Sequence, residues 1–290
     1  MTSSADFRTP SECRWDVDGL TLRGLSWGEP GAMPVLALHG WLDNAASFTR
    51  LAPQLEGCHV VAVDLSGQGR SSFRSPDATY QIWDDVPQLA ALLDQLGWQR
   101  CALLGHSRGG IISTLLAASL PERISHLVML DAVVPQAVDE TAFPRQLGRF
   151  VHERQRALAR TGKRYATWDE AIAARVRNGL PREAAQALAS RSLEGDAEGG
   201  WEWRIDPRLR AASAVKMSDG QIRAVLGAIR APALLLQARE GMMQHASLVE
   251  LARAHMPQLQ VRQVDGSHHF HMEPDIDPQV PDLLDFLAGD

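Results

Sequence analysis

Between Leu20 and Asp131 the chain alternates short runs of aliphatic and β-branched residues with stretches whose apolar positions recur every three or four residues. The runs suit strands buried on both faces, and the periodic stretches suit helices that turn one stripe to a core. The pattern predicts strands over 20–27, 35–39, 59–65, 100–106 and 126–131, and helices over 46–55, 84–96 and 110–120. Asp18-Gly19 suits a two-residue hairpin, so the first strands are expected to pair antiparallel. Strands alternating with helices build a mostly parallel sheet covered on both faces.

After Pro135 the pattern changes. From 140 to 230 there is almost no strand signal, whereas Ala, Arg, Glu and Leu fall at helical spacing, as in 150–159, 168–177 and 182–191. Strand patterns return at 233–238 and 259–264, and an amphipathic helix over 278–287 follows. The expected organisation is a core of residues 1–134 and 231–290, interrupted by a helical cap over 135–230. No internal repeat or low-complexity segment is present.

Composition narrows the classes of function. Hydrophobic residues make up 45% and charged residues 22%, as in an ordinary soluble globular protein. A net charge of −6 without a Lys/Arg cluster argues against nucleic acid as a partner. No apolar run reaches the roughly 18 residues needed to span a bilayer, and residues 1–8 lack a signal-like apolar region, so a cytoplasmic location is expected. Cys13, Cys58 and Cys101 are far apart and odd in number, which favours reduced thiols over disulfides or a metal site.

The candidate chemistry begins at Gly105-His106-Ser107-Arg108-Gly109, between an apolar strand and a predicted helix. A bare G-x-S-x-G arises by chance in roughly one chain in ten of this size, so the flanks carry the argument. A sharp strand-to-helix turn exposes a serine hydroxyl beside a base and next to backbone N–H donors, and it requires small residues on either side. Ser107 is therefore the candidate nucleophile. The base is expected later in the chain, in Gly266-Ser267-His268-His269-Phe270-His271, and His268 is the choice; His269 and His271 are read as surface residues or, less favoured, metal ligands. The oxyanion hole is expected from the main-chain N–H groups of Trp41, in His39-Gly40-Trp41, and of Arg108. Trp41, His106, Trp201 and Trp203 are the candidate pocket residues.

His39-Gly40-Trp41, Asp64-Leu65-Ser66-Gly67-Gln68-Gly69-Arg70-Ser71, Gly105–Gly109 and Gly266–Glu273 together resemble the α/β-hydrolase superfamily in order and spacing, over nearly the whole chain. More narrowly, residues 40–48, Trp201-Glu202-Trp203 and Asp265–His269 resemble the serine-hydrolase-like group. The resemblance implies an α/β-hydrolase fold, with a mostly parallel eight-stranded sheet flanked by helices and the cap inserted after the sixth strand. It also places the triad acid after the seventh strand, where this chain has Ala238-Arg239-Glu240-Gly241, with glycine in the acidic position. Glu240 is one residue out of register. Asp131 ends the strand after the elbow, where some superfamily members keep their acid, and a carboxylate ending a buried strand needs a partner. Asp131 is preferred and Glu240 is the alternative. Asp64 is read as structural, holding the Gly67-Gln68-Gly69 turn. Arg108 is open between contacting an anionic substrate and pairing with a carboxylate.

The expected function is hydrolysis of small to medium acyl esters through a Ser107 acyl-enzyme, with His268 as base and then acid and with no cofactor or metal. Two rivals share the fold: a non-hydrolytic small-molecule-binding protein and a cofactor-free oxygenase or perhydrolase. Substrate identity and oligomeric state have no signature in the sequence.

Overall fold

The structure, a computed structural model, describes residues 9–196, 198–243 and 246–289. Strands β1 (Ser11–Val17) and β2 (Leu20–Trp27) form the expected antiparallel hairpin. Asp18 and Gly19 turn it with φ of 49° and 77°, the left-handed pair whose twist matches that of the flanking strands. β3 (Met33–Leu38), β4 (Cys58–Asp64), β5 (Cys101–His106) and β6 (Ile124–Leu130) follow. With two later strands they complete an eight-stranded sheet, parallel except where β2 meets β1 and β4.

Both faces of the sheet are covered, so its central strands are apolar throughout. Val35, Leu36, Ala37 and Leu38 of β3 are all fully buried, alternate residues entering opposite clusters. One face receives α1 (Asp85–Gln95) and α2 (Arg108–Ser119). On the other lie Phe48 and Leu51, where a helix over 46–55 was expected. The chain there makes two short 3₁₀ turns, Ala45–Phe48 and Ala52–Gln54. Pro53 has no N–H to donate back to the first turn, so no continuous α-helical ladder runs through it.

Residues between β6 and the next sheet strand hold α3 (Phe143–Leu158), α4 (Trp168–Val176), α5 (Arg182–Ser192) and α6 (Asp219–Ala228). They also hold an antiparallel three-stranded sheet that the pattern did not reveal, with β7 (Arg164–Tyr165), β8 (Leu193–Asp196) and β9 (Gly200–Trp203) in the order β7-β9-β8. Strands of two to four residues rich in Glu, Asp and Gly carry no alternation to read. α4 and α5 share an apolar cluster of their own, including Ile172, Ala185 and Leu188, whereas Ile222 and Leu226 of α6 join the core cluster beside α2.

The chain then returns to the sheet with β10 (Ala233–Glu240), parallel to β6, and β11 (Leu259–Ser267), parallel to β10. α7 (Ala246–His255) precedes β11, and α8 (Val280–Ala288) packs Val280, Leu283 and Leu287 under the sheet. Among the described residues no helix is long and apolar enough to cross a membrane.

Candidate active site

Ser107 sits between the end of β5 and the start of α2 with φ 51° and ψ −119°, a conformation costing a non-glycine residue of order 1–3 kcal/mol. The surrounding glycines allow the turn. A Cβ on Gly109 would lie 2.0 Å from the Leu38 carbonyl oxygen, and one on Gly105 would lie 2.6 Å from the Gly109 carbonyl oxygen. Arg108 is the first residue of α2, so its N–H has no acceptor within the helix. Trp41 lies inside a turn closed by Asp43 N–H donating to the Gly40 carbonyl at 3.2 Å. Its own amide takes no part in that bond.

His268 follows β11, and its Nδ1 lies 2.5 Å from Asp131 Oδ2. Asp131 is 1% exposed and holds a left-handed φ of 50°, which aspartate tolerates better than most residues. Its carboxylate also accepts the amides of Met242 at 2.8 Å and Ala238 at 3.2 Å. Glu240, the alternative acid, is exposed at the end of β10, and the carboxylate that His268 Nδ1 meets is that of Asp131. The glycine that replaces an acid in the familiar position now has a role: a Cβ on Gly241 would lie 2.2 Å from Asp131 Oδ2. Gly241 makes the room that Asp131 fills.

Ser107 and His268 open onto one cavity of about 470 Å³, with Trp41, His106, Tyr165, Arg175, Trp203 and Met242 among its walls. Trp41 is 48% exposed there, its indole Nε1 donating to the Leu209 carbonyl at 2.9 Å. Of the two tryptophans of the inserted segment expected at the pocket, Trp203 lines it and Trp201 does not. The Trp201 ring packs instead edge-on against Trp168, with centroids 5.1 Å apart. Arg108 turns away to pair with Asp85 at 3.2 Å, which resolves its role as structural.

His271 is not on the surface. It is fully buried with Nε2 2.7 Å from Ser47 Oγ, and burial followed by the neighbouring His269 and His268 holds its proton affinity well below the ordinary range. His39 receives the Leu65 N–H on Nε2 and donates from Nδ1 to the Gly40 carbonyl, pinning the Trp41 turn to the end of β4. His106 lies beneath the cavity, its Nε2 donating to the His268 carbonyl at 2.8 Å. Burial first, then the three nearby histidines, keeps its ring neutral with a pKa well below the usual value. Cys58 and Cys101 are buried and free, their thiols pushed by burial to about 11 and about 12. They are inert packing.

Three residues that pattern reading missed complete the site. Asp43 is buried, with Oδ1 3.2 Å from Arg175 of α4. Arg175 also donates to the Leu42 carbonyl at 2.5 Å and stacks 5.1 Å over Trp203, so it joins the inserted segment to the Trp41 turn. Arg210 stands 6.0 Å over Trp41. Asp43, His106 and His269 offer ligand atoms within 4.8 Å of one another. Nothing in their sequence spacing announces that meeting.

A serine on a strained strand-to-helix turn, a histidine after the last strand and a sheet in this order define the α/β-hydrolase fold. Residues 33–275 match the alpha/beta hydrolase fold family, and the chain belongs to it. A serine hydrolase-like protein of Danio rerio is 27% identical over 311 residues, covering 100% of this chain and 95% of its own. Another from Dictyostelium discoideum is 28% identical over 288 residues, covering 93% of this chain and 79% of its own. The crystal structure of a hypothetical protein from Pseudomonas aeruginosa PAO1 superimposes with a TM-score of 0.88 at 35% identity, covering 96% of this chain and 98% of that one.

Proposed function

We propose that the protein is a serine carboxylesterase acting on small to medium acyl esters, with residues 135–230 as a cap that roofs the site. The observation that carries the reading is the 2.5 Å contact of His268 Nδ1 with buried Asp131, in the cavity that also exposes Ser107. A carboxylate on Nδ1 fixes the tautomer that leaves Nε2 free to take the Ser107 proton and later return it to the leaving alcohol. The carbonyl carbon is attacked by Ser107 Oγ, its oxygen taken by the N–H groups of Trp41 and Arg108, and water then releases the acyl group. The cavity suits a modest acyl chain against Trp203 and Met242.

The test is labelling by a fluorophosphonate together with turnover of p-nitrophenyl esters. Ser107→Ala is expected to abolish labelling and to lower hydrolysis by a factor on the order of 10³ or more with the fold unchanged. Unlabelled wild-type protein without turnover would leave a small-molecule-binding role as the better account.

A further inference from the structure

His106 Nε2 lies 2.8 Å from a carbonyl oxygen, that of His268, so Nε2 carries the ring's hydrogen and Nδ1 is a bare lone pair. That Nδ1 is buried and has no hydrogen-bond partner. Across from it, at 3.9 Å, is Asp43 Oδ2, also buried and without a partner. Two acceptors that face each other repel, and a buried acceptor left unpaired costs roughly 1–3 kcal/mol. The gap therefore calls for a donor to both sides or a cation. His269 Nδ1 is a third buried atom without a partner, and Asp43, His106 and His269 can each bring one ligand atom within 4.8 Å of the other two.

The space is kept open by Gly40, on which a Cβ would lie 2.8 Å from His106 Nδ1 and 2.9 Å from Asp43 Oδ2. Gly40, Asp43, His106 and His269 all border the cavity that holds Ser107, so an ion has a way in. His268 is spoken for by Asp131 and stands outside the set. Two imidazole nitrogens and one carboxylate oxygen suit zinc, which takes three protein ligands and an open fourth position; calcium and magnesium prefer a larger shell of oxygens. Arg175 on Asp43 Oδ1 offsets part of the carboxylate charge, which further favours an ion that bonds nitrogen.

We propose that Asp43, His106 and His269 bind a divalent transition metal of the zinc class, and that its occupation reversibly blocks the hydrolytic site. The three side chains close from their present spacing onto bonds of about 2.0–2.2 Å. The ion's open position then faces the space over Ser107 that the acyl group needs. It also draws on Asp43, whose turn carries the Trp41 amide. The binding claim stands on its own, and the inhibition claim rests on the proposed esterase activity.

The test titrates the metal-stripped protein with zinc chloride by calorimetry in a non-chelating buffer, and with cobalt(II) by visible absorption. Wild type is expected to bind one ion, to give the intense visible bands of four-coordinate cobalt, and to lose ester hydrolysis as zinc fills the site, with EDTA restoring it. Asp43→Asn and His269→Ala should each weaken binding by at least about tenfold, the lower end of what disturbing the shell around a metal costs. His269→Ala lies on the cavity wall and stands as an independent variant should Asp43→Asn fold poorly. Equal zinc affinity in wild type and both variants would place any ion elsewhere and overturn the site, as would an electron-density map at saturating zinc that shows only a water between His106 and Asp43. One-to-one binding in a protein that hydrolyses no ester would support the site and overturn the esterase reading instead.

Discussion

Asp131 and Gly241 are one device made of two residues. The carboxylate occupies the volume that a side chain at 241 would need, with only 2.2 Å between Oδ2 and a Cβ placed there. Asp131→Asn is expected to cut kcat by a factor on the order of 10⁴, because the amide favours the wrong imidazole tautomer. Glu240→Gln, on an exposed residue, should change little. Gly241→Ala should also lose most activity, by displacing the Asp131 carboxylate, and should destabilise the fold by about 1–3 kcal/mol, as overpacking does. Steady-state kinetics with a p-nitrophenyl ester check the set, and a Gly241→Ala enzyme as fast as wild type would refute the steric account. Asp131 was legible in the sequence because a charged residue ending a buried strand demands a partner, and Ser107 and His268 because each lies next to a strand the pattern exposes. Asp43 and Arg175 were not, since 132 positions separate the pair and only the folded chain brings them together.

At the scale of elements, the sheet strands and their covering helices were readable because both faces are apolar and the periods are long enough to count. The errors fall where other forces decide. Pro53 broke a helix whose apolar spacing looked continuous, and β7 to β9 are too short to show a period. Long-range polar contacts were equally silent: Arg191, which reads as an ordinary helix residue of α5, is 5% exposed and meets fully buried Asp64 at 2.8 Å. Asp64 does hold the turn assigned to it, accepting the Arg70 amide at 2.8 Å, but it also accepts the Ala45 amide at 2.7 Å. Replacing Arg191 by Met leaves that carboxylate buried without its cation. A loss of about 3–5 kcal/mol is expected in urea unfolding. A loss below 1 kcal/mol, the range of an exposed pair, would show that the pair is solvated.

For the whole molecule, the histidines set the acid limit. His39, His59 and His126 all have pKa values lowered chiefly by burial, His39 being completely enclosed. Below the unfolded value of about 6.5 the unfolded chain binds more protons than the folded one, so stability is complete above that pH and is lost as pH falls toward the folded values. The melting temperature should drop between about pH 7 and pH 5, and a melting temperature that rises over that interval would contradict the assignment. The inserted segment is tied to the sheet by more than one such buried bond. Tyr80 donates to Asp206 at 2.8 Å, Arg208 donates to the Arg74 carbonyl at 2.6 Å, and Asn44 donates to the Leu188 carbonyl at 2.9 Å and to Ser192 Oγ at 2.6 Å. The inserted segment is therefore no interchangeable module. A chimaera that imported another protein's segment at this place without equivalents of Arg191, Ser192 and Asp206 would strand Asp64, Asn44 and Tyr80 in the body of the sheet domain, so the cavity is better reshaped by altering its lining than by exchanging the whole insertion.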